Sequence, residues 1–167
     1  MDANHQRLAA EAGRLAVKNA WEGPKPKELA TRKSFENAIA VDMAIGGSTN
    51  AIVHLLAMAG RAGVDLSLSD FDEISRKTPL ITDLRPSGRF LMEDFYFAGG
   101  LSAVLKMMES ILHMDLPTVN GETLEQNIIN AKVHNEEVIR PINNPIAPDG
   151  GTTVLKGNLA PNGAVIK

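Results

Sequence analysis

Apolar residues crowd the stretch from Phe35 to Ala59. Glu36, Asn37 and Asp42 interrupt a first apolar segment, and His54 is the titratable residue in a second. The two segments meet at Gly46-Gly47-Ser48-Thr49-Asn50. Each is long enough for about three helical turns. Helices apolar on nearly every side have no solvent face, so the pattern predicts a helix pair inside a domain. The junction reads as a stop followed by a start. Gly46 or Gly47 can take the left-handed conformation that ends a helix, and Ser48 or Thr49 can cap the next one. Such a corner turns free backbone N–H groups, at the positive end of a helix dipole, toward the space beside it. Two readings stay open: a tight corner between core helices, or a wall for an anionic substrate group.

The rest of the chain is arranged around that pair. Asp2 to Trp21 carries Leu8, Ala12, Leu15, Ala16 and Ala20 at helical spacing, with His5, Arg7, Glu11, Arg14 and Lys18 elsewhere. This is the pattern of an amphipathic helix, ended by Pro24 and Pro26. Glu28 to Arg32 is a polar connection with room for one helical turn. Arg61-Ala62-Gly63 closes the second core helix, and Val64 to Leu68 reads as extended. Ser69 is the expected N-cap of a short helix running to Lys77, with acidic Asp72 at its third position. Pro79 to Leu84 is apolar and β-rich and predicts a strand, followed by a turn at Arg85-Pro86-Ser87-Gly88-Arg89. Helices over 90–98 and 101–112 flank Gly99-Gly100, the second with Leu101, Val104, Leu105, Met108 and Leu112 on one stripe. A polar helix over 123–136 turns Leu124, Ile128, Ile129 and Val133 inward. Prolines and glycines over 138–151 read as a linker. Two β-like pieces, Thr152–Lys156 and Ala164–Ile166, come last. A three-residue strand cannot finish a sheet, which predicts a second domain beginning near residue 152 and cut off. The fold class is α/β and helix-rich, divided into 1–137, a linker over 138–151, and 152–167.

Composition narrows the chemistry. The 167 residues are 44% hydrophobic and 22% charged, within the range of a globular chain. A net charge of −3, without a basic run, argues against a nucleic-acid partner. There is no cysteine, so the chain offers no disulfide and no thiolate ligand to a metal or iron–sulfur cluster. No N-terminal segment has the apolar core of a signal peptide, and the expected location is the cytoplasm. The junction residues and His54 interrupt 38–59 and argue for a buried core rather than a membrane span.

Candidate site residues gather near the two turns. His5, His54, His113 and His134 do not fall at zinc-ligand spacings. His54 shares a helix face with Asn50; it reads as a satisfied core histidine, with a general acid or substrate contact as the alternative. Arg85 and Arg89 set two guanidinium groups beside a turn that suits a carboxylate or phosphate, or simply faces solvent. Glu93 and Asp94 are adjacent on a helix and point apart, as a cap and a solvated charge do. Phe95-Tyr96-Phe97 reads as core, although the Tyr96 hydroxyl can reach a polyol. Asp42 on a buried helix requires a partner, either a cationic side chain or a metal. The substrate-side candidates are therefore Gly47, Ser48, Thr49, Asn50, Arg85, Ser87 and Tyr96. No catalytic residue and no metal ligand is assigned.

Longer words in the sequence carry a resemblance. Ser34-Phe-Glu-Asn-Ala-Ile-Ala-Val and Gly46-Gly-Ser-Thr-Asn-Ala-Ile-Val-His-Leu resemble the dihydroxy-acid and phosphogluconate dehydratases. So, in order, do Leu84-Arg-Pro-Ser-Gly-Arg-Phe-Leu-Met-Glu-Asp, Val138-Ile-Arg-Pro and Leu155-Lys-Gly-Asn-Leu-Ala-Pro-Asn-Gly-Ala-Val-Ile-Lys. Glu93-Asp-Phe-Tyr-Phe-Ala-Gly-Gly resembles the sugar-acid branch, such as arabinonate dehydratases. The resemblance implies a hydro-lyase that removes water from a 2,3-dihydroxy sugar acid to give a 2-keto-3-deoxy acid. The alternatives are a dihydroxy-acid dehydratase of branched-chain amino-acid synthesis and a non-catalytic scaffold remnant. It also implies an iron–sulfur cluster as Lewis acid, a magnesium ion on the substrate carboxylate, a serine base and a homo-oligomer. Its cluster cysteines, its Cys-Asp-Lys motif and its serine motif are absent. The chain thus reads as the middle of such an enzyme: the later N-terminal α/β domain and the opening of a β-rich C-terminal domain, inactive alone and liganding neither group.

Overall fold

Local capping signals account for most of the helix boundaries. The computed structural model describes residues 3–167. Among the described residues, eight helices precede one hairpin: α1 (Ala3–Glu22), α2 (Pro26–Leu29), α3 (Arg32–Ala44), α4 (Thr49–Ala62), α5 (Leu68–Lys77), α6 (Met92–Phe97), α7 (Gly100–Met107) and α8 (Leu124–Ile128), then β1 (Thr153–Gly157) and β2 (Ala160–Ile166). The fold is α/β and helix-rich, its sheet consisting of the antiparallel β1–β2 pair. Helix α3 begins at a reciprocal cap. The Thr31 side chain accepts from the Ser34 N–H, and the Ser34 hydroxyl accepts from the Thr31 N–H at 2.9 Å. Among the described residues, no helix is long and apolar enough to cross a membrane.

Helix α3 is the spine between two apolar clusters. Ile39 and Met43, one turn apart, pack with Ile52 of α4 and Phe71 of α5. Ala40 and Ala44, on the adjoining face, pack with Ile81, Phe95, Val104, Met108, Val138 and Ile139. The small alanines let the 81 and 139 segments approach the helix backbone, and Ile81 N–H donates to Ala44 O at 2.9 Å. The hairpin lies on α5. Ser75 Oγ donates to Thr152 O at 2.5 Å, the Val154 N–H donates to Asp72 Oδ1 at 3.2 Å, and Val154 and Val165 cover the Phe71 cluster.

Several sequence expectations change. The first expected helix forms as α1, although Asp2 lies outside the described residues, but its apolar stripe is not buried. Leu8 is 69% and Trp21 85% exposed. Ala16 and Ala20 are too short to fill the space opposite Phe35 and Leu55, which leaves an apolar hollow of about 690 Å³. The α5 cap is Ser67 rather than Ser69. The Ser67 N–H and hydroxyl both donate to Asp70 Oδ2, at 2.7 and 2.8 Å, and the helix starts two residues early. Residues 64–67 are irregular. The 79–84 segment is extended but forms no ladder, because its residues bridge in turn to Ala147, Ile139 and Phe90. Helix α7 stops at Met107, and Met108 and Leu112 stay buried in the turns that follow. The helix expected over 123–136 is confined to α8. Beyond it the His134 N–H is drawn to Ala98 O at 2.9 Å, a tertiary bond in place of a helical one. Strand β2 begins at Ala160, four residues before the expected start.

Residues 138–151 run along the body of the domain. Val138 and Ile139 are buried. The Arg140 N–H donates to Ile81 O at 2.7 Å, Gly150 N–H to Ser75 O at 2.8 Å, and Gly151 N–H to Met43 O at 3.1 Å. These bonds bring the hairpin to the carboxyl end of α3, where the glycine junction sits.

Candidate site at the junction of α3 and α4

The junction forms the stop and start that its residue types call for. Gly46 has φ +55°, in the left-handed region, and Ser48 is extended at φ −85° and ψ 135°. The Ser48 hydroxyl accepts from the Asn50 N–H at 3.2 Å and caps α4. Gly47 is required for a different reason. A Cβ there would lie 1.9 Å from Asp42 Oδ1, closer than any non-bonded approach allows. Ser48 and Asn50 are exposed and Gly47 and Thr49 half-buried, so the corner has an accessible side.

A second turn stands opposite. Gly46 and Ser87 line one hollow of about 230 Å³ with Thr82, Asp83, Gly88 and Lys167. The structure thus brings Gly46, the Ser87 turn and the end of the hairpin together, while Gly47, Ser48, Thr49, Asn50, Arg85 and Tyr96 lie outside the lining of this hollow. The two arginines of the 85–89 turn have different fates. Arg89 is bound by Asp83, whose Oδ1 also accepts the Arg89 N–H at 3.0 Å, and it lies 4.8 Å over the Phe90 ring. That guanidinium holds the Asp83 carboxyl below its ordinary range. Arg85 is exposed, its Nε 3.4 Å from Arg89 O. Tyr96 is elsewhere. It is 74% exposed on α6 and packs edge-on to Phe97, with centroids 5.4 Å apart. The core reading of that aromatic run holds only for Phe95; alternation of faces on a short helix leaves Tyr96 and Phe97 outside. His54 is also exposed, because α4 buries only Ile52 and Ala59, so the core reading of His54 fails. Asp94 is the cap that was expected, accepting the Leu91 N–H at 2.8 Å.

Asp42 is the unusual group of the site. Burial pushes its carboxyl up to about 6, against the lowering effect of the Lys167 charge and of the hydrogen bond from the Ser48 N–H. Among the described residues, its buried Oδ2 meets no hydrogen-bond donor. Lone carboxylates of this kind mark functional sites more often than ordinary surface ones.

A second polar cluster lies beyond the reach of local pattern. Glu36 accepts from Arg32 Nε at 2.8 Å and meets His113 Nε2 at 3.0 Å. The Asn37 amide donates to His113 O at 2.9 Å and accepts its N–H at 2.8 Å. Arg32 holds the Glu36 carboxyl below its usual range against the effect of burial, with His113 assisting. These groups line a cleft of about 440 Å³. The positions lie 76 and 77 residues apart in sequence, so no spacing rule joins them.

The residues present do not fit an iron–sulfur cluster or a structural metal. The chain has no cysteine, and among the described residues no three His, Asp or Glu side chains converge. Asp42 alone is not a ligand set for magnesium, which takes several oxygens.

Comparison with known proteins brings the same stretches together. Residues 1–127 match the N-terminal family model of dihydroxy-acid/6-phosphogluconate dehydratases, and residues 137–167 match the C-terminal one. An L-arabonate dehydratase of Azospirillum brasilense is 50% identical over 170 residues, covering 100% of this chain and 29% of its own length. A dihydroxy-acid dehydratase of Ignicoccus hospitalis is 50% identical over 169 residues, covering 100% and 31%. An L-arabinonate dehydratase of Rhizobium leguminosarum is 47% identical over 169 residues, covering 100% and 29%. The chain therefore spans about three tenths of the length of the curated relatives it matches.

Proposed function

The chain belongs to the dihydroxy-acid/6-phosphogluconate dehydratase family, and from that membership we propose that it forms substrate-side walls of a hydro-lyase acting on a 2,3-dihydroxy sugar acid. The product is a 2-keto-3-deoxy acid. The observation that carries this reading is that Gly46, next to Gly47 at the head of the junction, lines one hollow with Ser87. The Gly47 N–H is taken by Asp42 O at 2.7 Å and the Asn50 N–H by the Ser48 hydroxyl, so Gly47 shapes the corner while the Ser48, Thr49 and Asn50 side chains offer polar groups suited to a carboxylate or hydroxyl. Ser87 adds a hydroxyl and Arg85 an exposed cation beside it. Tyr96 stands outside that hollow and belongs to the reading only through its hydroxyl, which suits a polyol. The choice of a sugar acid follows the Phe95-Tyr96-Phe97 run and the arabinonate dehydratases among the relatives. The equal identity of dihydroxy-acid dehydratases supports a branched-chain dihydroxy acid as the second reading.

These residues bind and orient; no proton transfer is assigned to them. The iron–sulfur cluster and magnesium ion that the family implies do not fit the donors of this chain, and no step is routed through either. We place the protein in the cytoplasm as a homo-oligomer without nucleic-acid or membrane partners, and expect the 167 residues alone to be inactive.

A chimera tests the reading. The matching segment of the Azospirillum brasilense enzyme would be replaced by these 167 residues and assayed on L-arabinonate, other aldonates and a branched-chain 2,3-dihydroxy acid. Dehydration of an aldonate is expected. A folded chimera, with native circular dichroism and native iron content, that turns over none of them contradicts the proposal. Preference for the branched-chain acid selects the second reading.

A further inference from the structure

The space between α1 and α4 is not filled. No residue of α1 is buried, and Asn19, whose Nδ2 donates to Val119 O at 2.6 Å, ties the helix to the rest of the chain. Beside it lies the apolar hollow of about 690 Å³. Pro26, Ala30, Phe35 and Met58 line that hollow and also a second one, of about 680 Å³, so the two form one groove. The second hollow is basic. Lys27 of α2 and His54 and Arg61 of α4 line it. Among the described residues, no hydrogen bond or ion pair engages these three side chains, and no Asp or Glu lines either hollow. The carboxyl end of α4 accounts for Arg61 by itself. It does not account for Lys27 on another helix or for His54 two turns earlier.

An apolar centre with a charged rim is the anatomy of a protein interface. All three basic side chains are exposed, so they stand to meet a partner at its edge rather than to enclose a small ligand. The charge selects among partners. In a two-fold contact the same patch serves both sides, so a second copy would set a basic rim without carboxylates against itself. An acidic segment meets no such repulsion. Relatives that match the whole of this chain carry about seven tenths of their length outside the match, which is ample polypeptide to supply one.

We propose that this groove is the docking surface for a segment of dehydratase polypeptide outside the 167 residues. That segment sets apolar side chains beside Phe35 and Met58 and carboxylates against Lys27 and Arg61. The proposal rests on family membership and not on the reading of the α3–α4 corner as a substrate wall.

Two preparations test it: the chimera in the Azospirillum brasilense enzyme, and the 167-residue chain mixed with the two flanking polypeptides of that enzyme. A carbodiimide joins a lysine amine to a carboxylate in contact with it. Mass spectrometry should find an amide link from Lys27 to an Asp or Glu of the flanking polypeptide, and Arg61→Lys should add a second link. Filling the groove would take Met58 from 58% exposed to the few per cent of the core side chains, so its oxidation by peroxide should slow by about tenfold relative to the 167-residue chain alone. Lys27→Glu with Arg61→Glu should restore fast oxidation in the assembled forms and leave the rate in the isolated chain unchanged. Absence of the Lys27 link and of Met58 protection from both preparations overturns the proposal. So do links that join only copies of the 167-residue chain, and Met58 protection that survives the double charge reversal. None of these signals reads turnover, so a folded but inactive chimera counts against the substrate reading alone.

Discussion

Replacing Asp42 by asparagine should stabilise the protein near neutral pH. In the folded state burial moves this carboxyl from 3.8 to about 6. At roughly 1.4 kcal/mol per pH unit that displacement corresponds to about 3 kcal/mol as an upper figure. The side chain is only partly buried, and solvent screening reduces the effect to about 1–2 kcal/mol. The sign follows from proton counting. The folded state holds its Asp42 proton to higher pH than the unfolded chain, so between about pH 4 and 6 folding takes up a proton and stability falls as pH rises. Asparagine has no charge to desolvate and keeps an acceptor for the Ser48 N–H. Urea unfolding of wild type and Asp42→Asn at about pH 4, 5, 6 and 7 should give a difference near zero at the acid end that grows to about 1–2 kcal/mol in favour of the variant. Taking the difference removes the opposing slopes of Glu36 and Asp83, whose carboxyls are lowered. A difference independent of pH, or a variant less stable throughout, would falsify the assignment of a strained, functionally retained carboxylate.

Three further outcomes follow from the packing. Gly47→Ala should cost about 1–3 kcal/mol, because its methyl would overlap Asp42 Oδ1; combining it with Asp42→Gly should recover most of the loss in a double-mutant cycle by urea unfolding. Phe71→Ala, which empties the α3–α5 cluster, should cost about 3–5 kcal/mol, whereas Phe97→Ala on the exposed face of α6 should stay within about 0.5 kcal/mol. Asn37→Ala removes both bonds to the His113 main chain and should cost about 1–3 kcal/mol, with hydrogen exchange at the His113 amide accelerating more than at Met43.

What was legible in the sequence was local. The Gly46 stop, the Ser48 cap and the Gly63 stop with φ +75° each depend on a few adjacent residues, and all three hold. At 67–72 two serines competed for one cap, and Asp70, which receives both the N–H and the hydroxyl of Ser67, decided between them. Burial is a tertiary property, and it is there that pattern misled. The stripe of α1 has the right period yet leaves Leu8 exposed, and α4, apolar almost all round, leaves His54 and Val53 outside. The β-rich 79–84 segment is extended as its composition asks, but its partners at 139 and 147 were unreadable, and they alternate too quickly for a ladder. The candidate site divides in the same way. The junction residues announced themselves, and the meeting of Gly46 with Ser87 came only through the fold. The Lys167 charge that bears on Asp42 had no local signal at all.

The most direct measurement is the steady-state kinetics of Ser48→Ala and Arg85→Ala in the arabonate dehydratase chimera. If the α4 corner and the opposite turn bind substrate, each variant should raise KM by about 5–10-fold, the loss of one hydrogen bond or exposed charge contact, with kcat little changed. Unchanged KM in both variants, in a chimera that turns over an aldonate, would contradict the placement of this corner against the substrate.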